Sequence, residues 1–509
     1  MADFFNQKRY HVSFWLISMR LFFQSLIVLF CGGFLSLASA NVEQHFNQIK
    51  QDPNALYAFL KKMPKGGELH FHLAGSNYAE TMLQFAADKH YCLNPKTHAL
   101  NMISAICTNG SVKDILNKPK LYNTIIDSWS MRHFKPGTET GHDHFYETFD
   151  KFAPMVYQQS AFFLADAMQH AAAQHELYME VMLMPDLAES ANFAAHLPKT
   201  HDWVKLKEDL LANPKFKASI KKTAGVTYIS QAKSNILACD TTPLNPACQV
   251  TVKLQYHILR EQPLASFFAQ ALHGFAAVNL SDDFVGINIV QPEDGIIALR
   301  DYHAQMEILA FLHQAYPDVH ISLHAGELVP AEVTPNDIQF HINEAIKIGH
   351  AERIGHGVDI AFERDAQGLL KYMSQHAIPV EINLTSNEMI LGISPQQHPL
   401  KLYLKHQVPV VLSTDDEGIL RTDLTQQYVK AVQEHGVDYQ TLQRINRNTL
   451  EFSFMAGKSL WQNYAKLIPV VACQNFKSVA CKRFIENNLR AKLQLQLEVK
   501  LNEFAQQFH

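Results

Sequence analysis

The chain has no excess of basic side chains, since 44 lysines and arginines stand against 49 aspartates and glutamates, for a formal net charge of −5. This mild acidity argues against nucleic acid held mainly through its phosphates. The chain also lacks a glycine-rich phosphate turn after its first predicted strand, which disfavours a nucleotide-binding doubly wound sheet.

A long apolar run occurs near the amino terminus, from Leu21 to Leu37, after several basic residues. It ends in Ala38-Ser39-Ala40, a small-x-small cleavage signature. We therefore expect residues 1–40 to be a secretory signal peptide cleaved after about Ala40, with Met1 or Met19 as the start. An uncleaved membrane anchor is the alternative, although the run is short for a spanning helix. A lipoprotein signal at Cys31 fits less well, because the apolar run continues past it.

Six cysteines remain after residue 40, and they are near neighbours in three pairs. None of these pairs has the two-residue spacing and the accompanying histidine of a structural zinc site. In an exported chain, such local pairs favour three disulfides that close short loops, although six cysteines permit 15 connectivities. The pairs are Cys92 and Cys107, Cys239 and Cys248, and Cys473 and Cys481.

Eight short apolar stretches alternate with segments of helical periodicity, which is the pattern of βα repeats. A polar residue ends most of these stretches, so the sequence predicts an α/β fold, a (β/α)8 TIM-type barrel with its site at the carboxyl ends of the strands. The expected strands are Glu68–His72, Leu177–Met184, Val250–Ile258, Phe284–Val290, His320–His324, Ile354–His356, Val380–Leu384 and Val408–Thr414.

The chain is longer than the ~250 residues of a plain barrel, so we expect helical and loop insertions within one domain. Apolar spacing predicts one helix from His144 to Gln174, whereas the polar stretch from Asn213 to Cys248 reads as a loop over the barrel. The expected organisation is a domain over 41–509, with a barrel at about 63–455, insertions near 90–140 and 186–249, and a helical extension at 456–509.

Four residues at predicted strand ends form a ligand set for a divalent metal. His70 and His72 project from one face of the first strand, and His324 and Asp415 follow two later strands. Imidazole and carboxylate ligands suit a catalytic zinc ion that keeps one position open for water. A buried core histidine or a helix-capping aspartate is the ordinary alternative for any one of them.

Three further residues in these strand-end stretches have the side chains that a hydrolytic reaction needs. Glu327 follows His324 across Ala325-Gly326, so a tight turn can place its carboxyl group over the metal as a general acid or base. His356 lies between two glycines and can hold the attacking water, and Asp416 can contact the substrate. The alternatives are a first-turn helix residue for Glu327, favoured by the helix dipole, and a turn histidine for His356.

These motifs, His-x-His, His-Ala-Gly-Glu, Gly-His-Gly and Ser-Thr-Asp-Asp, resemble in type and order those of the adenosine deaminase family within the metal-dependent amidohydrolases. The resemblance covers most of 60–455. Met63-Pro64-Lys65-Gly66-Gly67 before the histidine pair, together with the signal peptide, resembles the secreted growth-factor-type branch of that family.

The resemblance implies hydrolytic deamination of adenosine or 2′-deoxyadenosine to inosine or 2′-deoxyinosine and ammonia. It implies one Zn²⁺ per chain, held by His70, His72, His324 and Asp415. It implies that Glu327 protonates the purine ring, that His356 orients the water and helps to deprotonate it, and that Asp415 takes part in catalysis. Substrate contacts would come from Asp416, Gln291 and Gly326, with support from Glu381, Ser386 and Asn387.

Two departures from the family pattern bear on the substrate. Ala74 stands where the intracellular enzymes carry an aspartate that holds the ribose 5′-hydroxyl, and Gln291 replaces a glycine that offers its backbone N–H to the purine. Deamination of adenine or of a modified nucleoside is therefore the alternative, and a secreted nucleoside-binding protein without activity is a third hypothesis. The expected partner is a purine nucleoside in the periplasm or outside the cell, with no nucleic acid, no membrane after cleavage, and a homodimer as in many relatives of that branch.

Overall fold

The computed structural model of the protein describes residues 41–101, 107, 110–137, 139–194 and 202–508. Eight parallel strands form one sheet in which each strand pairs with the next along the chain. This order is that of a (β/α)8 barrel, so the predicted fold is confirmed. The strands are β1 Lys65–His72, β2 Glu176–Leu183, β3 Thr251–Leu259, β4 Phe284–Val290, β5 His320–Ala325, β6 Arg353–His356, β7 Val380–Ile382 and β8 Val410–Leu412.

The first and last strands meet at Asp415, just beyond the end of β8. The amide of Asp415 donates to the carbonyl of His70 at 3.3 Å, and its carbonyl accepts from the amide of His72 at 2.9 Å. Phe71 and Asp415 thus form a parallel bridge. The closure of the barrel itself brings Asp415 between the two histidines of β1.

Most strand residues are buried on both faces, as expected for a parallel sheet covered by helices. A few polar side chains interrupt these apolar runs and lie inside the barrel. Glu180 on β2, Asn288 on β4 and Glu381 on β7 are each fully buried. Because a buried polar group must find hydrogen-bond partners, these positions indicate an internal network beneath the strand ends.

Helices cover the barrel and form the insertions and the carboxyl-terminal extension. Several begin at a side chain that caps the first turn, such as Asp52, Asn213 and Asp438, whose oxygens accept from backbone amides. The α-helices are Pro53–Lys62, Ala79–Asp88, Val112–Ile115, Pro119–Ser128, Gly141–Gln158, Ser160–Ala173, Trp203–Ala212, Pro214–Ala224, Tyr228–Gln231, Leu264–Val278, Ile296–Ala315, His341–Lys347, Ala366–His376, Leu384–Leu391, Leu400–Lys405, Glu417–Leu420, Leu424–Gln433, Tyr439–Glu451, Val479–Glu486 and Leu489–Ala505.

The single helix expected from His144 to Gln174 is two helices in the structure. The backbone leaves the helical region at Gln159, where φ is −120° and ψ is 30°. Helix Gly141–Gln158 packs against the turn Leu73–Gly75 and the helix Leu384–Leu391, whereas Ser160–Ala173 packs against β2. The apolar spacing continues through the break because both helices bury one face, so periodicity alone did not reveal it.

The stretch from Asn213 to Cys248, expected as a loop, contains the helix Pro214–Ala224. Asn213 caps this helix, and Phe216 and Ile220, four residues apart, are its buried contacts. Lysines occupy much of its exposed face, which gave the segment its polar composition. Composition therefore hid a short amphipathic helix.

Three disulfides close the loops that the cysteine spacing predicted, so the local pairing is confirmed. They join Cys92 to Cys107, Cys239 to Cys248 and Cys473 to Cys481. Within the described part of the chain, no helix is both long enough and apolar enough to cross a membrane. The signal peptide expected at residues 1–40 lies outside the described residues.

Candidate functional site

The structure brings the four predicted metal ligands together at the carboxyl ends of the strands. Asp415 Oδ1 lies 3.3 Å from His70 Nε2 and 3.2 Å from His72 Nε2. His72 Nε2 lies 3.1 Å from His324 Nε2. One ligand atom from each of the four residues falls within 4.8 Å of the others. Side chains from three distant parts of the sequence therefore converge on one point.

This cluster fits a divalent metal ion. His70 Nε2 is buried and makes no hydrogen bond to any described residue. Three imidazoles and a carboxylate are a ligand set that zinc takes in catalytic sites. Burial alone would raise the pKa of Asp415, but the neighbouring rings of His70 and His72 hold that pKa well below its ordinary value. Asp415 is thus ionised and ready to bind a cation.

Two buried side chains orient the histidines from behind. Glu381 Oε2 lies 2.7 Å from His70 Nδ1, and Asn288 Oδ1 lies 2.9 Å from His324 Nδ1. Each contact leaves Nε2 of the ring directed at the cluster. Second contacts of this kind fix the tautomer of a metal-binding histidine and tune its basicity.

The backbone at the strand ends is strained where the functional side chains emerge. Asp415, His356 and Gln291 have φ angles of +70°, +66° and +85°. Non-glycine residues rarely adopt this left-handed conformation, and such positions cluster at functional sites. The positive φ of Gln291 also explains why a glycine suits this position in the family pattern.

Two glycines, one in the Gly-His-Gly motif and one after the histidine pair, make room for site residues. A Cβ atom at Gly355 would lie 2.7 Å from Cε1 of His70, and one at Gly75 would lie 1.9 Å from Oδ1 of Asp416. The Gly-His-Gly motif therefore lets the His70 ring pack against β6. Gly75, in the loop after the histidine pair, lets the Asp416 carboxyl group fit against the chain.

Glu327 is buried beside the four predicted metal ligands. Burial raises its pKa well above the ordinary value, and the nearby carboxylates of Asp415 and Glu293 raise it further. Glu293 also accepts hydrogen bonds from the amides of Gly326 and Glu327, at 3.1 and 2.9 Å, and so holds this loop. The surroundings of Glu327 therefore favour its protonated form, and the loop holds the residue in a fixed position.

His356 lies on the other side of Glu327 and close to Asp415. Its Nδ1 is 3.6 Å from Glu327 Oε1, and its Nε2 is 3.9 Å from Asp415 Oδ2. Burial lowers the pKa of His356 to about 3, so the ring is neutral. Asp416 faces the same space, and burial followed by the charge of Asp415 raises its pKa well above the ordinary value.

Several of these groups border one cavity of about 400 Å³, namely His72, His324, Glu327, His356, Asp415 and Asp416. The aromatic part of its wall comes from the helix Gly141–Gln158. Its polar groups lie at the strand ends. Pockets that hold small molecules are typically apolar with a few convergent polar groups. The lining residues are His72, Ala74, Phe145, Tyr146, Phe149, Asp150, Ala153, Tyr157, Met184, His257, Leu259, Val290, Gln291, Pro292, His324, Glu327, His356, Asp415 and Asp416.

Some predicted contacts are used differently from what the sequence suggested. Gln291 lines the cavity, but its side-chain oxygen accepts from the amide of Glu261 at 2.9 Å. Gly326 is not among the described residues that line the cavity, and its amide is bound to Glu293. The Ser386 hydroxyl is buried and makes no hydrogen bond to the described residues.

Sequence reasoning missed several residues that support the site. Asn288, Glu293 and Arg260 hold His324 and the loop after it; Arg260 Nη2 donates to the carbonyl of His324 at 2.8 Å. Polar residues inside or just after apolar strands were the available signal. The aromatic wall carried no such signal, because Phe145 and Phe149 fit an ordinary core helix equally well.

Comparisons with known proteins agree with this geometry. The adenosine deaminase family model matches residues 130–462. That range includes His324, Glu327, His356 and Asp415. Adenosine deaminase from Edwardsiella ictaluri is 37% identical over 138 residues, which are 27% of this chain and 38% of that protein. The chain thus spans about two fifths of the length of this curated relative.

Two solved structures share the fold. An amidohydrolase from Burkholderia ambifaria, with bound Zn, has a TM-score of 0.51 at 14% identity, over 87% of this chain and 94% of that one. Arabidopsis ADAL complexed with IMP has a TM-score of 0.51 at 17% identity, over 87% of this chain and 99% of that one. The growth-factor-type branch remains a prediction from the Met63–Gly67 motif. Because the family model covers well over half of the chain, the protein belongs to the adenosine deaminase family.

Proposed function

We propose that the protein is a zinc-dependent hydrolase that deaminates adenosine or 2′-deoxyadenosine to inosine or 2′-deoxyinosine, with release of ammonia. The proposal rests on one observation, namely that a metal-ligand cluster, an acid and a histidine meet at one cavity. Three members of the His₃Asp cluster, the buried acid Glu327 and the neutral ring of His356 border the same cavity of about 400 Å³. A hydrolytic attack on an aminopurine needs each of these groups.

His70, His72, His324 and Asp415 would hold the zinc ion. When bound at such ligands, zinc lowers the pKa of a water molecule from 15.7 toward ~7 and so supplies a nucleophile at neutral pH. The identity of the metal rests on the nitrogen-rich ligand set, since magnesium and calcium prefer oxygen ligands.

Glu327 would supply the proton that the ring requires. Addition of an oxygen to the amino-bearing carbon breaks the aromaticity of the purine, so the adjacent ring nitrogen must be protonated. The raised pKa of Glu327 keeps its carboxyl group protonated for that step. The amino group then takes up the proton that the water gave up and leaves as ammonia, and the proton of the new hydroxyl group returns to Glu327. Adenosine plus water thus gives inosine plus ammonia.

The cavity favours an unphosphorylated substrate. Among the described residues that line it there is no lysine or arginine, whereas Asp150 and Asp416 are both acidic. A phosphate group would have no cation to pair with there. A flat, neutral purine suits the wall formed by Phe145, Tyr146 and Phe149.

The ribose side of the cavity supports the alternative substrate. Ala74 lines the cavity and offers no hydrogen-bonding side chain where the family pattern has an aspartate. Adenine, which has no ribose, would lose nothing by this change. Deamination of adenine or of a modified nucleoside is therefore our second candidate.

We place the mature protein outside the cytoplasm. Three disulfides support this location, because they persist in oxidising compartments. The expected signal peptide at residues 1–40 would direct the export, and a homodimer remains our expectation for the assembly.

A substrate panel on zinc-loaded protein tests the proposal. Adenosine, 2′-deoxyadenosine, adenine and AMP are compared by the ultraviolet change that accompanies deamination. We expect the nucleosides to have the highest kcat/KM and AMP the lowest. Faster turnover of adenine would select the second candidate, and no turnover of any aminopurine would leave a binding protein.

A further inference from the structure

A chain of buried hydrogen bonds runs from the backbone to His356. The amide of Leu400 donates to His398 Nδ1 at 3.1 Å, and His398 Nε2 lies 3.1 Å from Asn387 Oδ1. Asn387 Nδ2 in turn lies 2.9 Å from His356 Nδ1. His398 is 6% exposed and Asn387 and His356 are 0% and 1% exposed, so water does not compete for these contacts.

The direction of this chain is fixed at one end. A backbone amide can only donate, so His398 Nδ1 must present a lone pair to Leu400. The hydrogen of a neutral His398 is therefore on Nε2, and it donates to the Asn387 carbonyl oxygen. The Asn387 amide group is then left to face His356 as a donor.

A doubly protonated His398 is also excluded. Protonation would place a hydrogen on Nδ1, against the Leu400 amide. Burial, followed by the charge of His435, also lowers the pKa of His398 to about 3. The direction of these hydrogen bonds is thus set by the Leu400 amide, which can only donate, and by burial, and it fixes the orientation of the Asn387 amide group.

We propose that His398 and Asn387 are positioning residues that hold His356 in the tautomer with its hydrogen on Nε2, facing the cavity. His356 Nε2 is buried and makes no hydrogen bond to the described residues, so its N–H is free to meet a ligand. This assignment differs from the sequence-based expectation that His356 helps to deprotonate the attacking water.

The consequence for the reaction rests on the proposed function. With a hydrogen on Nε2, His356 donates a hydrogen bond to the oxygen nucleophile and so orients it. It has no lone pair on that side with which to remove a proton. Any proton taken from the water would then go to a group other than His356, and Asp415 Oδ2 lies 3.9 Å from His356 Nε2.

Asn387→Asp tests the tautomer with almost no change in shape. A carboxylate accepts at both oxygens, so it would still bind the His398 N–H but would require a hydrogen on His356 Nδ1. We would record nitrogen NMR spectra of ¹⁵N-histidine-labelled protein, with the His356 signals assigned by their loss in His356→Gln. We expect Nδ1 to be unprotonated in the wild type and to carry a proton in Asn387→Asp.

An exposed Asn279→Asp variant controls for the added charge and should leave the His356 signals unchanged. His398→Gln and His398→Met form a second pair if Asn387→Asp does not fold. Glutamine keeps an N–H donor toward Asn387, so the wild-type tautomer should persist, whereas methionine should allow a proton on Nδ1.

A proton on Nδ1 of the wild type, or an Nδ1 that stays unprotonated in both Asn387→Asp and His398→Met, would overturn the assignment whether or not the protein deaminates anything. Activity tests the donor role separately. A wrong tautomer in a catalytic histidine can cost up to ~10⁴-fold, so we expect turnover of Asn387→Asp to fall by at least about 100-fold. A changed tautomer with unchanged turnover would overturn the donor role of His356.

Discussion

Two buried polar clusters lie inside the barrel, and they differ in how their hydrogen bonds are used. We call Tyr178, Glu180, Gln255, Ser322, Arg353 and Glu381 the supporting cluster. Glu180 accepts from Tyr178, Gln255, Arg353 and the amide of Phe454, at 2.9, 2.9, 2.7 and 2.7 Å. Arg353 Nε and Ser322 Oγ donate to Glu381 at 2.6 and 3.0 Å. No polar side-chain atom of these described residues is left without a partner.

The cluster at the strand ends is incomplete by comparison. Among the described residues, His70 Nε2, His356 Nε2 and Asp416 Oδ1 are buried and have no hydrogen-bond partner. A buried polar atom without a partner costs about 1–3 kcal/mol, so three of them in one place are expensive for stability alone. In these two clusters, the complete network supports the strands, whereas the open network lies where we propose that a metal ion and a substrate bind.

The largest expected effect is on catalysis, at Glu327. Glu327→Gln keeps the shape but cannot supply a proton, so turnover should fall by about 100- to 10,000-fold. The midpoint of thermal unfolding and the metal content should change little. Glu332→Gln, in the same loop but away from the cavity, is the matched control and should keep wild-type rates.

The same residue predicts a pH dependence. Burial raises the pKa of Glu327 well above its ordinary value, so the acid form persists to higher pH than it does for an ordinary glutamate. Rising pH removes that proton, and kcat/KM should decline as pH passes through the raised pKa. Near-normal rates for Glu327→Gln, or turnover that rises with pH throughout the alkaline range, would remove Glu327 from its role.

Arg353→Met would break the supporting cluster and affect stability. The change leaves Glu180 and Glu381 as buried carboxylates without their cation, and such a loss typically costs about 3–5 kcal/mol. Urea unfolding of the variant should show this as a lower midpoint. Arg300→Met removes an arginine that is 62% exposed and pairs with its neighbour Asp301, so it should cost less than about 0.5 kcal/mol. Equal stabilities for the two variants would contradict the comparison.

The sequence predicted the strand-end cluster because its signals are local. His70 and His72 alternate on one strand, Glu327 follows His324 by three residues, and Asp415 ends an apolar run. Each signal can be read within a few residues, and the barrel topology then requires them to meet.

The supporting cluster could not be predicted in the same way. Glu180 and Arg353 lie on strands far apart in sequence, and each alone resembles an ordinary surface charge. Only Glu381 was expected to support the site, and that expectation came from the family resemblance. The break at Gln159 was missed for a related reason, because only the packing of the two helices against different neighbours separates them. Long-range partners decided both features, and no local pattern records them.

Metal content measures the central claim most directly. Elemental analysis of purified wild-type protein should give about one zinc per chain. His70→Ala and Asp415→Ala should both be depleted of zinc and inactive, whereas His376→Ala, an exposed histidine elsewhere on the barrel, should keep its metal. Full zinc occupancy in both His70→Ala and Asp415→Ala would contradict the assignment of the site.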